Sequence, residues 1–311
     1  MFDTIITHDG RLHADEATSV AILLRLSPQA LVIRSRDQRL LETDSKASVI
    51  LDQGEVYDAT RLRFDHHQPD RPRRDDGTPY SSLGLVWKHY GAWYLERSGV
   101  APDLVDRVHQ RIENQFVRPI DILDNREVDP AAVSSFAGLS YPTLIENFNI
   151  SSRTPSKEDE DAAFHRASEF AASVLETMAH QVAEEITAQD RILDRILVHD
   201  GGPILELDAP IPFSGALQVS QAEHIEMVLH PRRDDWALCA VPVAPGRFAM
   251  RRLMPCSWAG LQGPELARVT RIPGAKFCHL RRFIATAENY RDIRAMGEQA
   301  IGEACAPGTI S

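Results

Sequence analysis

The sequence predicts an α/β fold, with an N-terminal parallel-sheet domain over residues 1–195 and a second, smaller α+β domain over 196–311. Three observations lead there. Short apolar runs alternate with helical patterns through the first part of the chain. After about residue 195, Gly and Pro become denser (HDGGPILELDAPIPFSG) and the segments become short and β-like. Charge divides in the same way: residues 1–189 carry 20 Lys+Arg against 31 Asp+Glu, while residues 190–311 carry 14 of each. The formal net charge of -11 therefore lies wholly in the first part.

Each element follows in order. FDTIITH alternates, is rich in β-formers and ends in polar residues, so it is expected to be a strand feeding the loop HDGRLHADE. EATSVAILLRL places apolar residues at 17, 20, 21 and 24, one helix face. LVIRS and ASVILD are short apolar runs of the parallel-strand type, and RLRFDHH is a further short strand ending in a polar cluster. A loop rich in Pro, Arg and Asp (68–79) precedes a helix from near Ser81, in which Trp87, Trp93 and Tyr94 are assigned to the core. Helices are expected over 103–124 and 158–188, the second with an EDED start that complements the helix dipole. Beyond it, ILELD, HIEMVLHP and DWALCAVPV are β-like, PELARVT is helical, and a last helix is expected over about 289–304.

Apolar content of 43% and charged content of 25% exclude a disordered or fibrous chain. No stretch approaches the roughly 18–20 apolar residues of a membrane span. MFDTIITHDG lacks the basic and apolar regions of a secretory leader. A cytoplasmic protein with no membrane partner is therefore expected. Cys239, Cys256, Cys278 and Cys305 form no CxxC pair and are expected to be reduced thiols. The acidic total argues against tight, non-specific binding of long duplexes.

Ligands of an open α/β sheet bind at the carboxyl ends of its strands, and His and Asp gather there. The first strand ends at His8, with His13 and Asp15 in the loop beyond. VILD ends at Asp52, and RLRFDHH at Asp65, His66 and His67. Apolar residues leading into DILDN place Asp121, Asp124 and Asn125 at a further such end. Mixed imidazole and carboxylate ligands suit Mn²⁺, Zn²⁺ or Fe²⁺ and, with enough oxygens, Mg²⁺. So many ligands exceed the needs of one ion. They suit two ions about 3.5–4 Å apart, the arrangement used for in-line phosphoryl displacement.

THDGRLHADEA, VILDQGEVYD, RFDHHQ, SSLGLVWKHYG and PIDILDN, in this order, resemble the MYG family (named after the melanocyte proliferating gene), which is related to the DHH phosphoesterases. LHPRRDDWALCAVPVAPGRFAMRRLMP and WAGLQGPELARVTRIPGAKFCHLRRFIA are similar to that family's second half. The resemblance implies a DHH-like catalytic domain, a smaller substrate-side domain, and an active site with divalent metal in the cleft between them. It implies phosphodiester hydrolysis, with a 3′→5′ exonuclease on RNA or short oligonucleotides as the leading activity. Carried over residue by residue, it implies that His8, His13 and Asp15 bind one ion, Asp52 bridges two, and His66 binds the second. Mn²⁺ is the leading metal and Mg²⁺ the alternative. Asp65 would orient a neighbouring imidazole, and His67 would contact the scissile phosphate or protonate the leaving group, so that Asp65, His66 and His67 form the catalytic set. The last ligand is Asp121 or Asp124. Asp124 is favoured because Asn125 follows it as in the family's DNG-like motif, where Arg126 replaces the usual Gly.

Arginine suits bidentate contact with phosphate. Arg251 and Arg252 are candidates for it, and His279 resembles the family's C-terminal substrate-side His, although IATAEN replaces the family's glycine-rich continuation. Arg71, Arg73 and Arg74 are expected to form a solvated loop compensated by Asp70, Asp75 and Asp76. Two other readings stay open: a phosphoesterase for a dinucleotide, nucleotide or pyrophosphate, and a non-catalytic metal-binding interaction protein. A homodimer is also left open.

Overall fold

The computed structural model describes residues 2–42, 47–128, 138–151, 154–244, 246–247 and 249–303. They fall into two compact units, Met1–Glu184 and Glu185–Ser311.

In the first unit, Thr4–Thr7 (β1), Leu31–Arg34 (β2), Ser48–Leu51 (β3), Tyr57–Asp58 (β4) and Arg63–Phe64 (β5) form a sheet in the order β2-β1-β3-β5-β4. β1 pairs in parallel with β2 and β3, and β3 pairs in parallel with β5. β4 closes the edge antiparallel to β5. Ile5, Ile6, Val49, Ile50 and Leu51 are all buried, as expected of parallel strands covered on both faces. The helices are Ala14–Leu26 (α1), Gln38–Leu41 (α2), Ser82–Arg97 (α3), Val105–Ile112 (α4), Arg118–Asp124 (α5), Tyr141–Glu146 (α6) and Lys157–Leu197 (α7). α1 packs against α3, whose first turn is capped by the Ser81 hydroxyl accepting from Leu83 N at 3.2 Å.

Three expectations change here. DILDN ends the helix expected over 103–124 and not a strand: Ile112, Phe116, Val117 and Ile120 are buried at helical spacing. A π-helical turn over Glu113–Val117 joins α4 to α5, where Pro119 lacks the N–H of the regular ladder. Trp93 is 43% exposed, whereas Trp87 and Tyr94 are buried. Seven residues along a helix return to within about 20° of the same face, but six do not. The long helix continues past 188 to Leu197 because its apolar stripe continues through Val182, Ile186 and Ile192. The division between the units falls inside it.

In the second unit, Ile204–Glu206 (β6), Met227–Pro231 (β7), Trp236–Ala240 (β8), Ala275–Cys278 (β9) and Ile284–Ala287 (β10) form a sheet in the order β6-β7-β8-β10-β9. The β6–β7 pair is parallel and the other pairs are antiparallel. Ser214–Val219 (α8), Gly263–Thr270 (α9) and Tyr290–Gly302 (α10) complete it. Met227 and Leu229 point into a core with Trp258 and Met296, while Val228 joins Ile192, Leu205 and Leu217 on the other face. Cys239 and Cys278 are free thiols. Burial pushes the Cys278 thiol up to about 12. Cys305 lies outside the described residues. No helix among the described residues is long and apolar enough to cross a membrane.

Candidate metal centre

The order of strands assembles the site. β1, β3 and β5 are adjacent and parallel, so their carboxyl ends lie side by side, at intervals of about 4.8 Å. Those ends deliver His8, Asp52 and the Asp65-His66-His67 run. The chain leaves β1 for β2 on one side and returns to β3 on the other, so His8 and Asp52 flank the point where strand order reverses. Crevices form at such points. Asp15 enters from the first turn of α1, and Asp124 and Asn125 from the end of α5. These residues line a pocket of about 1260 Å³, together with Arg11, Arg36, Arg71 and Arg126.

Asp52 stands at the middle of the group. Its Oδ2 is 3.2 Å from His8 Nε2, and its Oδ1 is 3.1 Å from His66 Nε2. His66 Nε2 is also 3.3 Å from Asp124 Oδ2, and His8 Nε2 is 3.5 Å from Glu16 Oε1. The second nitrogen of each ring fixes its tautomer. His8 Nδ1 faces the Asp9 carbonyl at 3.0 Å, and His66 Nδ1 faces Asn125 Oδ1 at 3.3 Å. Both acceptors call for an N–H on Nδ1. In the neutral rings, Nε2 is then a lone pair aimed at carboxylates, an arrangement favourable only with a proton or a cation between them. Asp65 is held differently: its Oδ1 accepts from His66 N at 2.8 Å and from His67 Nδ1 at 2.7 Å, and its Oδ2 from Glu55 N at 2.5 Å.

The loop between His8 and His13 is fastened from outside. Arg34 donates to Gly10 O at 2.6 Å, and the Asn149 amide pairs with both Leu12 N and Leu12 O at 2.9 Å. His13 caps α1, and its N donates to Glu16 Oε1 at 2.7 Å. Glu16 is a buried member of the site that sequence reasoning missed. The available signal was the three-residue spacing of a capping box.

The electrostatics favour cations. Asp15 is 1% exposed, and among the described residues no donor reaches either of its carboxylate oxygens. Burial, then the charges of Asp124, Asp52 and Glu16, push it well above the usual carboxylate range. Burial raises Glu16 to about 7 and Asp124 to about 6, with Asp52 adding to both. For Asp52, burial is outweighed by the bonds from His66 and His8, which hold it low. Burial opposes the charged forms of His8 and His66, but Asp52 outweighs it and raises both. Burial and then His8 lower His13. Three overlapping groups, His8-His13-Glu16-Asp52, Asp52-Asp65-His66-His67 and Asp15-His66-Asp124, each have ligand atoms within 4.8 Å of one another. Orphaned buried oxygens beside imidazole nitrogens fit divalent ions.

Other expected residues have the following partners. Asp121 is fully buried outside the pocket lining. It accepts from Arg74 and Ser81 Oγ at 2.6 Å and from Gly84 N at 3.1 Å. Two of the three loop arginines are compensated, but by other acids than expected: Arg74 by Glu113 and Asp121, and Arg73 by Glu127, while Asp76 pairs with Arg118. Arg71 donates to Asn125 Oδ1 at 3.1 Å. In the second unit, Arg251 donates to the Ala222 and Ile225 carbonyls, Arg252 pairs with Glu226, and the His279 ring lies 4.4 Å from that of Phe283. Arg126 adopts φ +56, the left-handed region that favours glycine.

The model of the family MYG1_exonuc, described as an uncharacterised protein family (UPF0160), matches residues 4–301. A MYG1 protein of Schizosaccharomyces pombe is 28% identical over 96% of this chain and 97% of its own. A MYG1 protein of Chlamydia pneumoniae is 30% identical over 92% of each. A rat protein named MYG1 exonuclease is 26% identical over 97% of this chain and 85% of its own. A RecJ structure with Mn²⁺ from Thermus thermophilus is 13% identical and covers 97% of this chain and 52% of its own, with a TM-score of 0.28, too low to carry an argument. With the family model matched from the first strand to the last helix, the chain belongs to the MYG1_exonuc family.

Proposed function

We propose that the protein is a divalent-metal-dependent phosphodiesterase that removes nucleotides from the 3′ end of RNA or short oligonucleotides. The observation that carries this reading is Asp52, whose two oxygens face two separate imidazoles, His8 and His66, as a bridging carboxylate must. The rat relative's name, MYG1 exonuclease, supports the same chemistry. His8, His13 and Asp52 would hold one ion, and Asp15, Asp52, His66 and Asp124 the other, because Asp15 groups with His66 and Asp124 and not with His8 and His13 as the resemblance implied, with Mn²⁺ or Mg²⁺ as the metal. Bound divalent ions supply Lewis acidity for in-line attack of water on phosphorus.

The remaining roles belong to the chain. Asp65 fixes His67 with its Nδ1 as donor, which leaves Nε2 to meet the substrate. The same bond, ahead of the opposing effect of burial, raises the pKa of His67, so the ring can deliver a proton to the departing oxygen as the P–O bond breaks. Asn125 orients His66, and Asp52 holds His8 and His66 apart. The site uses no nucleophilic side chain.

The test is purified protein with Mn²⁺ on 5′-labelled RNA of about ten nucleotides. A ladder of 5′-labelled products shortened one nucleotide at a time, abolished by Asp52→Asn, is expected. Intact RNA, or equal cleavage by Asp52→Asn, would overturn the proposal.

A further inference from the structure

Four arginines line the pocket, and they are not equivalent. Arg11 is paired with Glu146 at 2.7 Å, and Arg36 lies 3.4 Å from Asp9. Among the described residues, Arg71 and Arg126 have no carboxylate within ion-pair distance. Both flank Asn125. The Asn125 amide nitrogen donates to two carbonyls, Tyr80 O at 3.1 Å and Asp121 O at 2.9 Å. Its oxygen must therefore face the other way, where it accepts from Arg71 and meets His66 Nδ1. Arg71 is thus tethered beside the His66–Asp124 end of the site by a neutral acceptor, with its charge uncompensated. Arg126 follows directly, is exposed, and is held at φ +56 where a side chain is strained. A strained, charged residue that makes no ion pair within the fold is a candidate for an external partner.

The charge of the pocket lining points the same way. Asp15, Asp52, Glu55, Asp65, Asp124 and Glu146 oppose the four arginines. Two divalent ions would turn that deficit into an excess of positive charge in the pocket that Arg71 and Arg126 line. A single phosphodiester brings one negative charge, and it would be engaged by the ions. The two arginines suit a second phosphate beside the scissile one.

We infer that Arg71 and Arg126 form a subsite for the phosphate next to the scissile one, so that the substrate class is an oligonucleotide with at least two consecutive phosphodiesters. The inference rests on the hydrolase reading above. It differs from that reading in what it demands of substrate length.

The experiment compares a dinucleotide, which has only the scissile phosphate, with the trinucleotide of the same base, using Mn²⁺-loaded protein. Wild type should prefer the trinucleotide in kcat/KM. In Arg71→Ala/Arg126→Gly the preference should fall about tenfold. Arg73→Ala, which removes an exposed arginine paired with Glu127 outside the pocket, should leave the preference unchanged. Equal losses on both substrates overturn the subsite. Binding decides the matter independently of turnover. Affinity for a fluorescent pentanucleotide in Ca²⁺ should weaken in the double variant, and its log–log salt dependence should flatten by about 0.7 per arginine. Unchanged binding, or no binding by wild type, overturns the subsite. Binding that depends on the two arginines, with no turnover by wild type, supports the subsite and counts against the hydrolase reading alone.

Discussion

Asp121 and Asp124 lie one turn apart on α5, and opposite consequences follow from removing them. Asp121→Ala deletes the acceptor of Arg74, Ser81 Oγ and Gly84 N, all of them buried or nearly so. Removing one partner of a buried ion pair costs about 3–5 kcal/mol. Glu113 still holds Arg74 at 2.6 Å, so the lower end, about 3 kcal/mol, applies. For a unit of this size that is roughly 6–12 °C in Tm. Asp124→Ala instead removes a carboxylate that burial and the charge of Asp52 already disfavour. It should change stability in chelator by less than about 1 kcal/mol. It removes a ligand atom 3.3 Å from His66 Nε2, and should weaken Mn²⁺ binding by at least the 10–100-fold typical of changes one shell further out. The assay is thermal unfolding in EDTA, paired with calorimetric titration of Mn²⁺ into the folded protein. An Asp121→Ala protein that keeps its Tm but loses Mn²⁺, or an Asp124→Ala protein that binds Mn²⁺ as wild type does, would refute this division of roles.

Metal removal should be felt as stability: with Mn²⁺ at about 100 times its dissociation constant, linkage gives about 2.7 kcal/mol relative to EDTA, read as a rise in Tm, and no rise counts against the centre. Gly84→Ala would place a Cβ 2.0 Å from Asp121 Oδ2, so a loss of at least about 2 kcal/mol is expected in urea unfolding, and a wild-type midpoint would show that the helix can shift. Asp65→Asn and His67→Ala should each lower kcat at least about tenfold on RNA, and the double variant should be little worse than either single, because the two act as one unit. Fully multiplicative losses would separate them.

Much of the site was legible because strand ends are marked in sequence. A β-rich run that stops at His8, Asp52 or Asp65 announces both the strand and the residue it presents. DILDN reads in two ways, as the end of the helix expected over 103–124 and as a strand end, and the helix is what forms. The competition between Asp121 and Asp124 was not settled by residue type. It depended on Arg74 and Ser81, which lie 47 and 40 positions away from Asp121. Glu16 was hidden for the opposite reason: a Glu in the first turn of a helix is ordinary capping chemistry, and nothing in the sequence reveals that His8 lies 3.5 Å from it. Asn149 could not have been found at all, because its partner Leu12 is 137 residues distant.

The first unit contains its own control for the metal reading. It buries several carboxylates and satisfies some of them fully. Asp65 receives backbone donors from Glu55 and His66 as well as the His67 ring, and Asp121 receives a guanidinium, a hydroxyl and an amide. Asp15, equally buried, receives no donor on either oxygen among the described residues, and the charges that act on it most are other carboxylates. An uncompensated buried carboxylate costs several kcal/mol, which the same fold avoids at Asp65 and Asp121. The imidazoles repeat the pattern: His8 and His66 each spend their Nδ1 proton on an oxygen and turn Nε2 toward carboxylates. A chain that supplies backbone, hydroxyl or guanidinium donors to Asp65 and Asp121, gives Asp52 only the two imidazoles and gives Asp15 no donor among the described residues, has an arrangement that a non-protein partner would complete. Divalent cations are the partners whose charge and ligand preference match all of them at once.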